Sequence, residues 1–220
     1  MPFRLRDDLH WCNCGGRAVF LDVLADRYFC LPQSANEAFL RLADEKAGPG
    51  DVERLQMLIE RGMLVEAGAP ASIEPPPSIE APTGDLIERP YRRAPMSRIL
   101  RALASELRWS RALRTSPFHA LIEDARRRSL ELGPKASGPG RSLAEIAAAA
   151  AAASFITRSH DRCLVRALAV HSLCSGSGAK LVFGVIAHPF TAHCWVQLGS
   201  NVIVGGYEQA RLYTPILVVG

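Results

Sequence analysis

A segment that cannot build a core of its own divides this chain of 220 residues. Residues 68–84 read GAPASIEPPPSIEAPTG, a stretch rich in Pro, Ser and Gly with little to bury. This composition predicts a linker that is extended at the run Pro75–Pro77. We therefore expect a small domain over 1–68, a Pro-rich linker over 69–94 and a larger domain over 95–220.

The overall composition is that of a globular protein, with 48% hydrophobic and 22% charged residues. The start MPFRLRDDLHW has no apolar run behind its charges, and no window approaches about 18 uninterrupted apolar residues. We therefore expect no secretory signal and no stable membrane insertion. Without a signal, the six cysteines are expected to be free thiols in a reducing cytoplasm.

The first domain is predicted to be a small winged-helix-like unit. Residues 18–31 hold two short β-prone runs, consistent with a hairpin. Ser34 and Glu37 have the spacing of a capping box before an apolar helix. A second helix is marked by apolar residues at helical spacing, which are Val52, Leu55, Leu58 and Ile59. Gly62 then indicates a helix end before the short strand MLVE.

The larger domain reads as helices followed by strands. Two amphipathic helices are expected over 95–132, a loop over 133–140, and a helical stretch over 142–175 that is broken near 157–162. The apolar faces of the first two helices are predicted to be Ile99, Leu100, Leu103 and Leu107, and then Leu121, Ile122, Ala125 and Leu130. The runs LVFGVIA, HCWVQLG, NVIVGG and YTPILVVG predict a small antiparallel sheet.

Basic residues are concentrated in the middle of the chain. Residues 85–141 carry 13 basic and 6 acidic side chains, whereas residues 1–84 carry 8 basic and 13 acidic ones. The arginines that could meet phosphates are Arg92, Arg93, Arg98, Arg101, Arg108, Arg111, Arg114 and Arg126–Arg128. A solvated face or an acidic partner surface explains them as well, and the acidic first domain argues against a transcription factor. We expect no nucleic-acid partner.

Cys163 is a candidate nucleophile. It lies in SHDRCLVRALAVHSLC, where Asp161 can cap a helix that begins near the cysteine. A thiol in the first turn of a helix is held near the positive end of the dipole, which lowers its pKa and favours the thiolate. Arg162 and Arg166 would add to this effect. The alternative is a cysteine buried in the core.

His193 is the candidate base. It stands in PFTAHCWVQL, at the start of an alternating apolar run that predicts a strand, and a strand would hold the imidazole rigidly toward the helix. A core histidine is the alternative.

A metal site is not expected. The possible ligand sets are Cys12, Cys14 and Cys30, or His188, His193 and Cys194. The CNC motif has a one-residue spacing rather than the two to four of zinc sites, and adjacent residues of a strand point to opposite faces.

These motifs together resemble the transglutaminase-like cysteine peptidase domain of lasso peptide biosynthesis B proteins. The matching features are Cys163 at a helix start with Arg166 three residues on, the Gly-containing strand LVFGV, the motif PFTAHCWV and the final YTPILVV. The resemblance covers roughly residues 95–220. The first domain is similar to the small leader-binding module of the PqqD type, mostly through domain order.

The resemblance implies an α+β chain, with a winged-helix-like domain followed by a transglutaminase-like or papain-like domain whose helices pack on a small antiparallel sheet. It implies a leader peptidase in which Cys163 attacks the scissile carbonyl and His193 transfers the proton. Backbone N–H groups at the helix start would stabilise the oxyanion. An asparagine-synthetase-like partner cyclase would then close the ring. This chain would need no cofactor, and ATP would enter only through the cyclase.

In modules of the PqqD type the leader adds as a strand to the edge of a three-stranded sheet. The leader-binding residues implied here lie near 17–29 and on the second helix. They are Val19, Phe20, Leu21, Tyr28, Phe29, Leu55, Leu58 and Ile59.

The chain departs from the family at the third catalytic position. An Asp is expected about a dozen residues after the histidine, and this register falls on Gly205. Glu208 is our candidate for orienting His193, with Asn201, Gln209 or a backbone carbonyl as alternatives. A catalytically weak or inactive scaffold that presents the leader-bound precursor to the cyclase is the alternative function.

Overall fold

The N-terminal part of the chain forms two small sheets and three helices. A computed structural model describes residues 3–68, 72–86, 94–131, 139–157 and 163–220. The N-terminal elements are β1 (Phe3–Leu5), β2 (Leu9–Cys14), β3 (Arg17–Asp22), β4 (Arg27–Cys30), α1 (Gln33–Ala43), α2 (Pro49–Arg54), α3 (Gln56–Glu60) and β5 (Leu64–Glu66). Strands β2, β3 and β4 form an antiparallel sheet in that order, and β1 pairs with β5. The hairpin predicted within 18–31 is present as β3 and β4, while the winged-helix class of this unit stays a prediction.

Two details of the predicted helices are wrong. Helix α1 begins directly after Pro32 and has no side-chain cap, so Ser34 and Glu37 lie inside the helix and form no capping box. The second helix is interrupted at Leu55, which separates α2 from α3. Gly62 does follow the end of α3, with a φ of +62° and its N–H donated to the carbonyl of Ile59.

The remaining elements form one mixed sheet covered by helices. They are β6 (Gly84–Asp85), α4 (Met96–Thr115), α5 (Phe118–Glu131), α6 (Pro139–Thr157), α7 (Cys163–Leu173), β7 (Lys180–Ile186), β8 (Thr191–Leu198), β9 (Asn201–Val204), α8 (Tyr207–Ala210) and β10 (Thr214–Val219). The sheet order is β10–β7–β8–β9–β6. Strands β7 to β10 pair antiparallel as predicted, whereas β6 comes from the predicted linker and pairs parallel to β9. The predicted helix break and loop lie mostly at 158–162 and 132–138, outside the described residues.

The buried face of α4 matches the predicted one in part, because Ile99 and Leu103 pack against the cluster formed by Ala102 and the alanines of α6. Leu100 and Leu107 are 59% and 52% exposed, and the residues that α4 buries are Ala102, Glu106 and Trp109. Small side chains decide this face, because Ala102 packs with alanines of α6 and lets the two helices approach closely. On α5, Leu121, Ile122 and Ala125 are buried as predicted, and the side chain of Leu130 lies outside the described residues.

The two predicted domains share a hydrophobic core. On β3, Val19 and Leu21 belong to the same buried cluster as the α5, α7 and β7 residues, whereas Phe20 faces the opposite way and packs with Phe39. Strand β3 is therefore buried on both faces, which explains its nearly continuous apolar sequence. Because β2 also packs against β10, the N-terminal sheet is held directly on the larger sheet.

Candidate active site

Helix α7 sets the position of Cys163. Its buried residues Ala167, Leu168 and Val170 pack against the large sheet, and the helix lies on β8. On its other side, the indole N–H of Trp109 in α4 donates to the hydroxyl of Ser172, with 3.3 Å between Nε1 and Oγ. These contacts hold α7 in place, and Cys163, the first described residue of this helix, is half-buried. The proposed cap Asp161 and neighbouring Arg162 lie outside the described residues.

The thiol of Cys163 is in contact with two consecutive residues of β8. Hydrogen bonds from the Cys194 side chain and from His193 stabilise its thiolate, and the positive charge of His193 and the backbone N–H of Cys194 add to them. These interactions outweigh burial and lower the pKa of Cys163 to about 4. A thiolate is therefore the expected form near neutral pH, and a thiolate is the nucleophilic form of cysteine.

His193 is oriented through its second nitrogen. It is the third residue of β8, and its Nε2 lies 2.9 Å from the carbonyl oxygen of Gly205. Since a carbonyl can only accept, Nε2 carries the proton there and Nδ1 is left for Cys163. Burial disfavours the imidazolium, but the hydrogen bonds to Cys163 and Gly205 and the charge of Cys163 raise the pKa of His193 overall.

Gly205 contacts His193 through its backbone carbonyl, and the space around Gly205 leaves no room for a side chain. Its φ is +114°, and a Cβ there would lie 2.4 Å from the Cβ of Trp195. An Asp in this register would therefore collide with the strand that carries His193. The position found from the sequence is the one that contacts His193, but it contributes its backbone instead of a carboxylate.

Glu208 is wrong as the orienting residue. Its carboxylate is paired with Arg211 at 2.9 Å, and its side chain is 72% exposed. Asn201 and Gln209 are also exposed. Of the alternatives left open by the sequence, the backbone carbonyl is the one that the structure places at His193.

Aromatic side chains enclose the imidazole on the other face of the sheet. The ring of His193 is stacked near Trp195 with 6.0 Å between centroids and lies 5.2 Å from Tyr213. Gly184 pairs with His193 across β7 and β8, and a Cβ there would lie 2.7 Å from the Trp195 ring. The Gly of the LVFGV strand thus makes room for the aromatic wall beside the base.

Cys194 contacts the candidate nucleophile, which the sequence analysis did not predict. The expected alternation is present, because Cys194 lies in the core beneath α7 while His193 and Trp195 lie on the other face. Both nevertheless interact with Cys163. Hydrogen bonding to Cys163, burial and the thiolate charge all raise the pKa of Cys194, so it stays a neutral donor. Its place directly after the histidine is the only signal that the sequence offers.

The implied leader-binding residues divide into two groups. Most of them are at most 3% exposed and belong to the core: Val19, Phe20, Leu21, Leu55 and Leu58. They are wrong as direct contacts, since the first three lie on the central strand, which pairs with β2 and β4 on its two edges. Tyr28 and Phe29 lie on the edge strand β4, and these two and Ile59 are partly exposed.

Two further findings concern the whole described part of the chain. Within it, no group of three or more His, Cys, Asp or Glu side chains is arranged to hold a metal ion. Its helices also include none with the length and apolar character needed to cross a membrane.

The site is that of an α+β protein in which a thiol at a helix start meets an imidazole on a strand. The family model described as Transglutaminase-like superfamily matches residues 103–218, which is more than half of the chain. The chain therefore belongs to the transglutaminase-like superfamily, which includes cysteine peptidases. Searches of curated proteins and of solved structures gave no significant match.

Proposed function

We propose that this protein is a cysteine peptidase that removes the leader of a ribosomally made lasso peptide precursor before a partner cyclase closes the ring. The observation that carries the proposal is the contact between Cys163 and His193, with His193 anchored on the carbonyl of Gly205. The family supports the peptidase chemistry. The lasso substrate rests on the resemblance of the Cys163 and His193 motifs.

The site supplies the groups that amide cleavage needs. The Cys163 thiolate attacks the scissile carbonyl carbon, a carbon–sulfur bond forms, and the backbone N–H at the start of α7 stabilises the oxyanion. His193 donates its Nδ1 proton to the leaving amine as the carbon–nitrogen bond breaks. Water then attacks the thioester, His193 accepts its proton, and the leader leaves as a carboxylic acid while Cys163 is regenerated.

Leader binding is assigned to the N-terminal unit. The peptide would add to the outer edge of β4, because β3 is already paired on both edges. The N-terminal sheet shares its core with α7 and β7, so a leader bound there would be held in a fixed position relative to Cys163. The freed amine would be passed to an asparagine-synthetase-like cyclase that uses ATP.

The proposal is tested by mass spectrometry of a precursor encoded next to this protein. The precursor is incubated with the unmutated protein and with Cys163→Ala, and leader binding of both is measured by fluorescence anisotropy. We expect leader release by the unmutated protein alone, with equal binding by the two. Cleavage by Cys163→Ala would show that the nucleophile is wrongly assigned.

The scaffold alternative has one observation in its favour, which is that His193 is oriented by a carbonyl and not by a carboxylate. A scaffold would bind the leader without cleaving it at any protein concentration. Adding the cyclase and ATP then separates a scaffold from a peptidase that works only in the complex.

A further inference from the structure

A groove runs between the free edge of β4 and the turn that leads from β7 into β8. It has a volume of about 310 Å³ and is lined by Tyr28, Phe29 and Cys30 on one side. On the other side are residues of the turn between β7 and β8, among them His188 and Phe190. Consecutive residues of a strand face opposite ways, so a groove lined by three of them follows the strand's edge. We call this the edge groove.

The backbone along the edge groove is open to another strand. Among the residues that the structure describes, no strand pairs with the outer edge of β4. An extended peptide could add there and leave its side chains on alternate faces. Arg17, at the end of the groove, forms no ion pair with any described residue, so it can meet an acidic side chain of such a peptide.

Two aromatic rings of the edge groove are in contact beside the start of β8. The ring of Tyr28 lies 5.5 Å from that of Phe190, and Phe190 is 49% exposed. Tyr28 packs against the same core cluster as Cys163 and Cys194. Phe190 directly precedes β8, whose third and fourth residues are His193 and Cys194, so the pair of rings lies at the end of the strand that carries the site.

We propose that the edge groove is the substrate path to Cys163, and that Tyr28 and Phe190 form a subsite for a large apolar side chain of the peptide. The inference rests on the proposed function. The leader precedes the scissile bond, so the residue in this subsite lies on the N-terminal side of the bond. The N-terminal unit thus binds the leader along the edge of β4 and contributes a wall of the active site at the same edge.

The test uses peptides that alkylate the nucleophile. The probes are acetyl-Gly-Gly, acetyl-Gly-Phe and acetyl-Phe-Gly chloromethyl ketones. With each, the Cys163 thiolate forms a thioether as chloride leaves, and the rate is followed by intact-mass spectrometry of the full chain. Iodoacetamide, which is too small to use the subsite, measures the reactivity of the thiol itself.

We expect one of the two Phe probes to react about tenfold or more faster than the Gly-Gly probe, because the subsite buries an apolar ring. Phe190→Ala and Tyr28→Ala should remove most of this advantage, and Tyr28→Phe should keep it. Leu24→Ala is the matched control, since Leu24 is 50% exposed and lies in the turn between β3 and β4, outside the groove. The probe rates of each variant are divided by its iodoacetamide rate, and Leu24→Ala should change neither rate.

Equal rates for the three probes would overturn the subsite, as would a Phe preference that survives both alanine variants. Because Phe190 is half-exposed, its variant remains informative even if Tyr28→Ala unfolds. If the Phe probes show no advantage but iodoacetamide still reacts rapidly with Cys163, the subsite is wrong and the proposed function is unaffected. A Cys163 with the reactivity of an ordinary thiol overturns both.

Discussion

The two ends of helix α7 each carry a cysteine next to a histidine, and their chemistry is opposite. At the start, the pKa of Cys163 is lowered to about 4 and that of His193 is raised. Near the end, burial raises the pKa of Cys174 to about 12, and burial with the nearby charge of Lys180 lowers the pKa of His171 to about 4. One end thus favours charged forms and the other neutral forms.

The difference shows that burial alone does not make a reactive thiol. Burial disfavours every charged form, and it is the largest cause of the pKa shifts of Cys174 and His171. The thiolate of Cys163 accepts hydrogen bonds from Cys194 and His193. The imidazolium of His193 in turn donates a hydrogen bond to the carbonyl of Gly205. Paired partners stabilise the charges, so the same residue types become a nucleophile and a base.

Removing His193 should have the largest effect on this contrast. His193→Ala takes away both a hydrogen bond to the thiolate and the proton donor for the leaving amine. We expect leader cleavage to fall by about 10² to 10⁴-fold and the pKa of Cys163 to rise toward the ordinary value of about 8.5. Cleavage kinetics and the pH dependence of alkylation measure the two effects, and an unchanged rate would remove His193 from the mechanism.

Restoring the expected carboxylate at Gly205 should damage the site. Gly205→Asp places a Cβ 2.4 Å from that of Trp195 at a φ of +114°, so we expect a loss of about 2 to 4 kcal/mol in the free energy of unfolding. Gly206→Ala is the matched control, with a φ of +77° and nothing within 4 Å, and should cost about 1 kcal/mol. Urea unfolding compares them. Higher cleavage activity in Gly205→Asp would contradict the role given to the carbonyl.

Acid should weaken the neutral end of α7. The folded-state pKa of His171 is about 4, below the ordinary 6.5, so protons bind the unfolded chain first as the pH falls. The stability that this histidine contributes is complete above pH 6.5 and is lost as the pH falls toward 4. We expect a decrease of about 2 kcal/mol between pH 6.5 and 5, and a shallower decrease in His171→Gln. Equal slopes in the two proteins would show that His171 is not buried in its neutral form.

The smallest effect on cleavage is expected from Cys194, although its hydrogen bond makes the largest contribution to the lowered pKa of Cys163. Cys194→Ala removes one hydrogen bond to the thiolate, so the pKa of Cys163 should rise and cleavage should fall by less than about tenfold. Cys194→Ser keeps a donor and should lie between this variant and the unmutated protein. Cys174→Ala, which alters a thiol at the far end of α7, should leave the pKa of Cys163 unchanged.

Sequence patterns located the pair and the register of its third partner, but not the chemistry of that partner. The patterns placed Cys163 on a helix and His193 on a strand, and these two elements, α7 and β8, pack against each other in the fold. The close approach of Trp195 that forces Gly205 to act through its backbone is a tertiary contact, which no spacing reveals. Cys194 was not predicted for a similar reason. Strand alternation shows which face of the sheet a residue lies on, but it does not show which end of a helix packs against that residue.

Packing also decided the features that were predicted wrongly. Large leucines suggested the buried face of α4, yet the close contact of Ala102 with α6 turned Leu100 and Leu107 outward. The linker composition hid strand β6, since two residues are enough to pair with β9. The apolar residues of β3 were predicted to bind the leader, but they are buried. An apolar strand has the same sequence pattern whether it packs in a core or binds a peptide.

The central claim is that Cys163 is a stabilised thiolate, and the pH dependence of its alkylation tests it most directly. The unmutated protein is treated briefly with iodoacetamide from pH 4.5 to 9, and peptide mass spectrometry quantifies Cys163 and Cys174 separately. The account predicts that Cys163 reacts at a nearly constant rate down to about pH 5, while folded Cys174 stays unmodified throughout. A Cys163 rate that climbs tenfold per pH unit up to about 8.5, as for an ordinary thiol, would contradict it.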